Sequence, residues 1–194
     1  DLARQILEGA GWVDSNNDGI REKDGETLSL SLLTNADNKT RGDLGVLVQD
    51  QLNAIGFNIT FEAIDFGAMV DRMLGQTFDM VIIGWTGLGA EPNDDAFWKS
   101  DFDTPGSGFN FVSFQSARID ELLTQGVAVP RCAPEARAPY YREIQQIIHD
   151  QAPYIFLSGK IGNIGYRNNW GNLEPGPWSF YWNVNQWYNK ALQP

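Results

Sequence analysis

Five consecutive segments of this chain switch period in a fixed alternation, and that alternation restricts the fold more than any single residue does. Thr27-Leu28-Ser29-Leu30-Ser31-Leu32 alternates polar and apolar, the pattern of a strand with one buried face. Over residues 41–55 the apolar positions Leu44, Leu47, Val48, Leu52 and Ile55 recur three and four apart, which predicts a helix capped by Gly56. Phe57-Asn58-Ile59-Thr60-Phe61 alternates again, and residues 66–75 return to helical spacing through Met69, Val70, Met73 and Leu74. Residues 78–84, with Trp85 after them, form a near-continuous apolar run, which predicts a central strand covered on both faces. Strand–helix–strand–helix–strand order specifies an α/β fold. Its sheet should be mixed but largely parallel, with flanking helices and right-handed crossovers.

The flanks are less regular. Leu2, Ile6 and Leu7 have helical spacing and Gly9-Ala10-Gly11 stops it; a polar loop follows over residues 14–25. Residues 86–114 read as loop. Helices are predicted over 116–126 and 134–151, the second carrying Tyr140, Tyr141, Ile144, Ile147 and Ile148 on one face. Pro153 ends it, and Tyr154-Ile155-Phe156-Leu157 is expected to make one more buried strand. Residues 163–194, rich in Asn, Gly, Pro and aromatics, have no period.

Charge and rare residues remove several functions. With 14 Lys and Arg against 25 Asp and Glu, the net charge of −11 argues against a nucleic-acid partner and against an anionic membrane surface. The single Cys132 excludes an intrachain disulfide. A single His149 excludes a multi-histidine metal site and weakens histidine-based catalysis. Cys132 and His149 as a nucleophilic pair reads as chance placement. No Gly-x-Ser-x-Gly, phosphate loop or metal-ligand cluster supports a hydrolase, so no catalytic residue, metal or cofactor is assigned. Asp14-x-Asn16-x-Asp18-Gly19-Ile20-x-Glu22 follows the first nine positions of a calcium loop. Its twelfth position is Gly25 rather than a bidentate Glu, so an Asx-rich turn is the preferred reading and a calcium-stabilised interaction module the alternative. No apolar run reaches the roughly 18–20 residues that span a bilayer. The chain opens inside an amphipathic helix, with neither initiator Met nor signal peptide, and reads as a fragment of a longer protein.

Several motifs, in order, resemble one family. They are Ala10-Gly11-Trp12 with the Asp14–Gly25 turn, and Gln51-Leu52-Asn53-Ala54-Ile55-Gly56-Phe57. Phe78-Asp79-Met80 leading to Gly84-Trp85 and Glu91-Pro92 comes next, then Asn110-Phe111-Val112-Ser113-Phe114 before Ile119-Asp120-Glu121-Leu122-Leu123. Ala152-Pro153-Tyr154-Ile155-Phe156-Leu157 closes the series. Each is weak alone; together they resemble the family 5 solute-binding proteins of ABC importers, the oligopeptide, dipeptide and nickel-binding type.

The resemblance implies one lobe of a two-lobed periplasmic-binding-protein-like fold. Residues 1–158 would be the second lobe, and residues 159–194 a hinge and return segment packing on the missing N-terminal lobe. Residues 158–162, with Gly159 and Gly162, would be the connection. It implies a binding protein rather than an enzyme, capturing a peptide or other small solute for ABC permease subunits. The place of work would be periplasmic or extracellular, with lipid anchoring through the missing N-terminus left open. From the residues alone Trp85 is equally a core indole or a solute contact beyond a strand end. The resemblance implies the latter, because the family's GW tryptophan lines its cleft, and it extends the site to Thr86, Gly87, Leu88, Asn110 and Phe111. Peptide-binding members carry an Asp three residues after that Trp to hold the α-amino group. Leu88 stands there, so that anchor is not carried over. The tail aromatics, Trp178 among them, are expected to pack on the first lobe rather than to form a sugar platform.

Overall fold

The computed structural model describes residues 1–85, 92–159, 165–176 and 179–192. The chain forms two compact units: Asp1–Gly84 with Asp95–Asp120, and Trp85–Asp94 with Glu121–Pro194.

In the first unit, α1 (Leu2–Gly9) leads through the Asx-rich loop to a hairpin of β1 (Glu22–Lys23) and β2 (Glu26–Thr27). Asp24 and Gly25 turn it with φ of 54° and 88°, the left-handed pair that a two-residue hairpin turn demands. β3 (Ser29–Asn35) passes to α2 (Lys39–Asn53) through Asn38, whose side chain accepts the Arg41 N–H and caps the helix. β4 (Asn58–Ile64) follows, then α3 (Phe66–Leu74), capped by Asp65, then β5 (Met80–Val81). The strands lie in the order β4-β3-β5 and all pair in parallel, Asn35 opposite Ile64 and Leu33 opposite Val81. The expected α/β class and parallel sheet stand. Antiparallel pairing among the described residues occurs in the small β1–β2 and β6–β7 ribbons (β6 and β7 belong to the second unit) and in the single Val13–Glu22 bridge.

Two faces of β3 make the core, as the two-residue period of a strand requires. Leu32 packs with Ile59 and Ile82, and Leu44, Val48 and Leu52 of α2 lie against them. Leu33, on the other face, is fully buried, as are Met69 and Met73 of α3, which packs on β3. Gly45 lets α2 approach β4 closely, because the Phe61 ring occupies the place where a Cβ would stand. Leu47, placed on the buried face by spacing, is half exposed.

The expectation that residues 78–84 form the central strand is corrected. That place belongs to β3, and the run pairs as a strand only over Met80–Val81, on the outer side of β3. Contact with β3 continues for one more step, where the Ile82 N–H donates to the Leu33 carbonyl at 2.8 Å and Thr34 Oγ1 donates to the Ile82 carbonyl at 3.0 Å. Apolar content reports burial, and Ile82 is buried; it does not report position in the strand order.

The first unit is completed by α4 (Asp95–Trp98) and the start of α5 (Ala117–Ala128), with Ile119 fully buried. In the second unit Leu122 and Leu123 are buried, and α6 (Pro134–Gln151) buries Arg137, Tyr141, Ile144 and Ile148. Arg137 donates to the Gly126 carbonyl at 3.0 Å and to the Tyr141 hydroxyl at 2.7 Å, a charge tied down by local acceptors. Ala152, at φ 45°, ends α6 before Pro153.

The buried strand expected at residues 154–157 is also corrected. No strand forms there, and Ile155, Phe156 and Leu157 are 81%, 71% and 53% exposed. No described strand runs beside this stretch to accept its main-chain bonds, and an extended segment without a neighbour has no ladder. Tyr154 alone turns inward, and burial pushes its hydroxyl up to about 12. Further on, β6 (Trp170–Gly171) pairs with β7 (Tyr188–Asn189), with the Tyr188 ring over Gly171. Phe180, Tyr181 and Trp187 cluster beside them with centroids 4.9–5.8 Å apart. Trp178 and residues 160–164, Gly162 included, lie outside the described residues.

Candidate functional site

Parallel strands all end at one edge, and in open α/β sheets the crevice beyond that edge is where ligands bind. Here the edge is marked by Asn35 on β3, Ile64 on β4 and Gly84 after β5. The α2 and α3 caps, Asn38 and Asp65, lie there too, because each crossover leaves the sheet at this edge. Phe66, first in α3, is half exposed.

Polar side chains order this edge. Asn35, 5% exposed, accepts Arg41 Nη1 at 2.7 Å through Oδ1 and donates through Nδ2 to Asp37. Arg41 Nη2 also reaches the Gly84 carbonyl at 3.4 Å. At the opposite edge, Asp79 accepts the Ser31 N–H at 2.7 Å and the Ser31 hydroxyl at 2.8 Å, pinning the start of β5 to β3. Those two bonds, in that order, and the charge of Arg72 hold the Asp79 carboxyl below the usual aspartate range against a small opposing effect of burial.

Trp85 follows Gly84 directly and is partly buried, while Thr86, Gly87, Leu88 and Glu91 lie outside the described residues. Asn110 is fully buried. Its Nδ2 donates to the Phe114 carbonyl at 2.7 Å and the Lys99 carbonyl at 3.3 Å, and its Oδ1 accepts the Phe114 N–H at 3.0 Å. A solute contact through that amide would need those bonds broken, so Asn110 shapes its loop. Phe111, 7% exposed, packs edge-on to Phe109 with centroids 5.8 Å apart. Asp103 fastens the same loop by accepting Gln76 Nε2 at 2.7 Å, Gln115 Nε2 at 2.9 Å and the Ser113 hydroxyl at 3.0 Å. These bonds, that from Gln76 foremost, lower its pKa.

In the Asx-rich loop, Asp14, Asp18 and Glu22 bring one oxygen each within 4.8 Å of one another. The loop itself uses these carboxylates. Asp14 accepts the N–H groups of Asp18 and Gly19, Asp18 accepts that of Ile20, and Glu22 accepts Ser15. Gly25, in the twelfth place, turns the β1–β2 hairpin. Arg21 then ties the loop to the helix ends: buried, it donates to the Ile55 and Trp12 carbonyls at 2.8 Å each and to Glu8 at 3.0 Å. Sequence reasoning singled out neither Arg21 nor Arg41, since an isolated arginine carries no spacing signal.

Residues 1–108 of the 194 match the family described as bacterial extracellular solute-binding proteins, family 5 Middle. The chain belongs to that family. It is 32% identical over 192 residues to the oligopeptide-binding protein AppA of Bacillus subtilis, covering 96% of this chain and 34% of AppA. The structure of AppA in complex with a nonapeptide superposes with a TM-score of 0.78 at 29% identity, over 97% of this chain and 37% of that one. NikZ from Campylobacter jejuni, in complex with Ni(L-His), shares the fold: TM-score 0.73 at 23% identity, over 97% of this chain and 38% of NikZ. The chain thus spans about a third of the length of these proteins, and it has the architecture of one lobe of a two-lobed binding protein. No helix among the described residues is long and apolar enough to cross a membrane.

Proposed function

We propose that this chain is part of the solute-capturing component of an ABC importer, working outside the cytoplasmic membrane and holding a peptide or other small solute between two lobes. The observation that carries this reading is the likeness to an oligopeptide-binding protein over 96% of this chain. Residues 1–158 act as the second lobe, and residues 159–194 return to a lobe contributed by the rest of the protein. The exposure of Ile155, Phe156, Tyr181 and Trp182 supports that division, since apolar surface of this extent is normally covered. Closure around the solute is what the permease subunits recognise, and no bond of the solute is made or broken.

Trp85 is the solute contact of this reading, in company with residues 86–88, while Asn110 and Phe111 hold their own loop in shape. An indole offers a flat apolar face and one N–H donor, suited to side chains of varied shape. Leu88 offers no charge to an ammonium, so solutes without a free amino terminus, or peptides held by their backbone, are favoured. The test is a ligand screen on the complete natural protein that contains this sequence, read by tryptophan fluorescence with Trp85→Phe as the control. Tight binding of free dipeptides that vanishes when the amino group is blocked would sink the amino-terminus claim. A ligand-induced signal unchanged in Trp85→Phe would remove Trp85 from the site.

A further inference from the structure

Residues 99–114 close on themselves. The Asn110 amide, fully buried, donates to the Lys99 carbonyl at one end of the segment and to the Phe114 carbonyl at the other. Inside it the Phe102 carbonyl accepts the Asn110 N–H at 3.3 Å, and Gly108 lies so close to that carbonyl that no side chain would fit. A segment of this length whose ends meet, packed by its own groups, is an Ω-loop, the kind of contiguous unit that opens cooperatively.

The end of α3 fastens this loop. The helix closes with the Thr77 N–H on the Arg72 carbonyl at 2.9 Å and the Gln76 N–H on the Met73 carbonyl at 3.0 Å, a pair of bonds that needs a left-handed residue at position 76. Glycine takes that conformation without penalty. Gln76 takes it instead, at φ 53°, while Gly75 one place earlier has φ −75°, a value open to any residue. A left-handed non-glycine is disfavoured roughly 5- to 30-fold. The Gln76 side chain offsets this: its two amide protons go to Asp103 at 2.7 Å and to the Asn110 carbonyl at 3.3 Å. Ser113, left-handed too at φ 50°, gives its hydroxyl to the same Asp103 oxygen at 3.0 Å, with Gln76 Oε1 3.2 Å away. Beside them the Gly106 N–H donates to the Leu74 carbonyl at 2.6 Å. Two strained residues, one on the helix end and one on the loop, thus converge on one carboxylate oxygen. Strain of this kind persists only where the surroundings over-determine it.

We propose that residues 99–114 open and close as one body on the rest of the first unit, and that Gln76 is the latch, its left-handed backbone kept for the contacts that its side chain makes. The latch lies within that unit and does not depend on the solute-binding reading. The experiment is amide hydrogen exchange on the complete natural protein, with β3 as the internal control, because exchange separates local opening from global unfolding. Gln76→Gly should raise exchange ~10- to 100-fold throughout residues 99–114, the size expected when a hydrogen bond to a charged group is lost. β3 should exchange as slowly as before, since the glycine relieves the backbone at position 76. Asp103→Ala should open the same residues, and the double variant should add little to either single one, as two parts of one latch do. An unchanged loop in Gln76→Gly would overturn the proposal. So would a rise shared equally by β3, the mark of a residue that only stabilises the unit. A rise limited to residues 110–113 would show a frayed turn instead of a moving body, and multiplied effects in the double variant would rule out a shared latch.

Discussion

The β3–β4–β5 sheet and the segment after α6 draw on the same apolar residues and end in opposite states. Leu32, Leu33 and Ile59 are 2%, 0% and 3% exposed, whereas Ile155, Phe156 and Leu157 are 81%, 71% and 53% exposed. The sheet strands find their neighbours within the unit, because two helical crossovers return the chain in parallel and cover both faces of β3. The later segment has aromatic and β-branched character but no described strand beside it. Side-chain character supplies a tendency to be buried; only a neighbour supplies the burial.

That contrast can be broken or sharpened by substitution in the isolated chain, followed by chemical denaturation. Leu33→Ala should cost about 2–5 kcal/mol, as a fully buried Leu does, while Phe156→Ala should stay within about 0.5 kcal/mol. A comparable loss for Phe156→Ala would break the comparison and show that the segment is covered after all. Gly45→Ala should cost about 1–3 kcal/mol, because the new methyl meets the Phe61 ring. A neutral result would mean that α2 can draw back from the sheet without loss.

Removing the α2 cap with Asn38→Ala should cost about 1 kcal/mol, seen as a lower denaturation midpoint at unchanged slope. The smallest effect belongs to Asp79. Its carboxyl titrates lower in the folded chain than when unfolded, so its stabilisation is present above the ordinary aspartate value of 3.8 and is lost as pH falls through the lowered one. The stability difference between the natural chain and Asp79→Asn should therefore shrink on acidification below that value. A difference constant across the acid range would assign the effect to something other than that ionisation.

The same contrast explains what could be read in advance. Helix α6 was legible to the residue, because Pro134 opens it and its apolar spacing persists up to Pro153. The α2 and β4 patterns were legible within a few residues, but the Asn38 cap was passed over, as was the Asp24-Gly25 turn that makes a hairpin. Of the candidate site, Trp85 is legible as the residue that follows an apolar run and stays a proposed solute contact, whereas the hydrogen bonds of Asn110 to Phe114 depend on the path of their loop and leave no signal in the sequence.

The sequence by itself determined the α/β class, the parallel crossovers and the family, since period and motif order are local properties that survive without coordinates. Tertiary structure alone decided the rest. It placed β3 rather than residues 78–84 in the middle of the sheet, because strand order depends on which neighbours supply main-chain partners. It left residues 155–157 uncovered for the same reason. It set the Arg41 guanidinium between Asn35 and Gly84, 43 residues from the latter, because parallel pairing brings strand ends from distant parts of the chain to one edge.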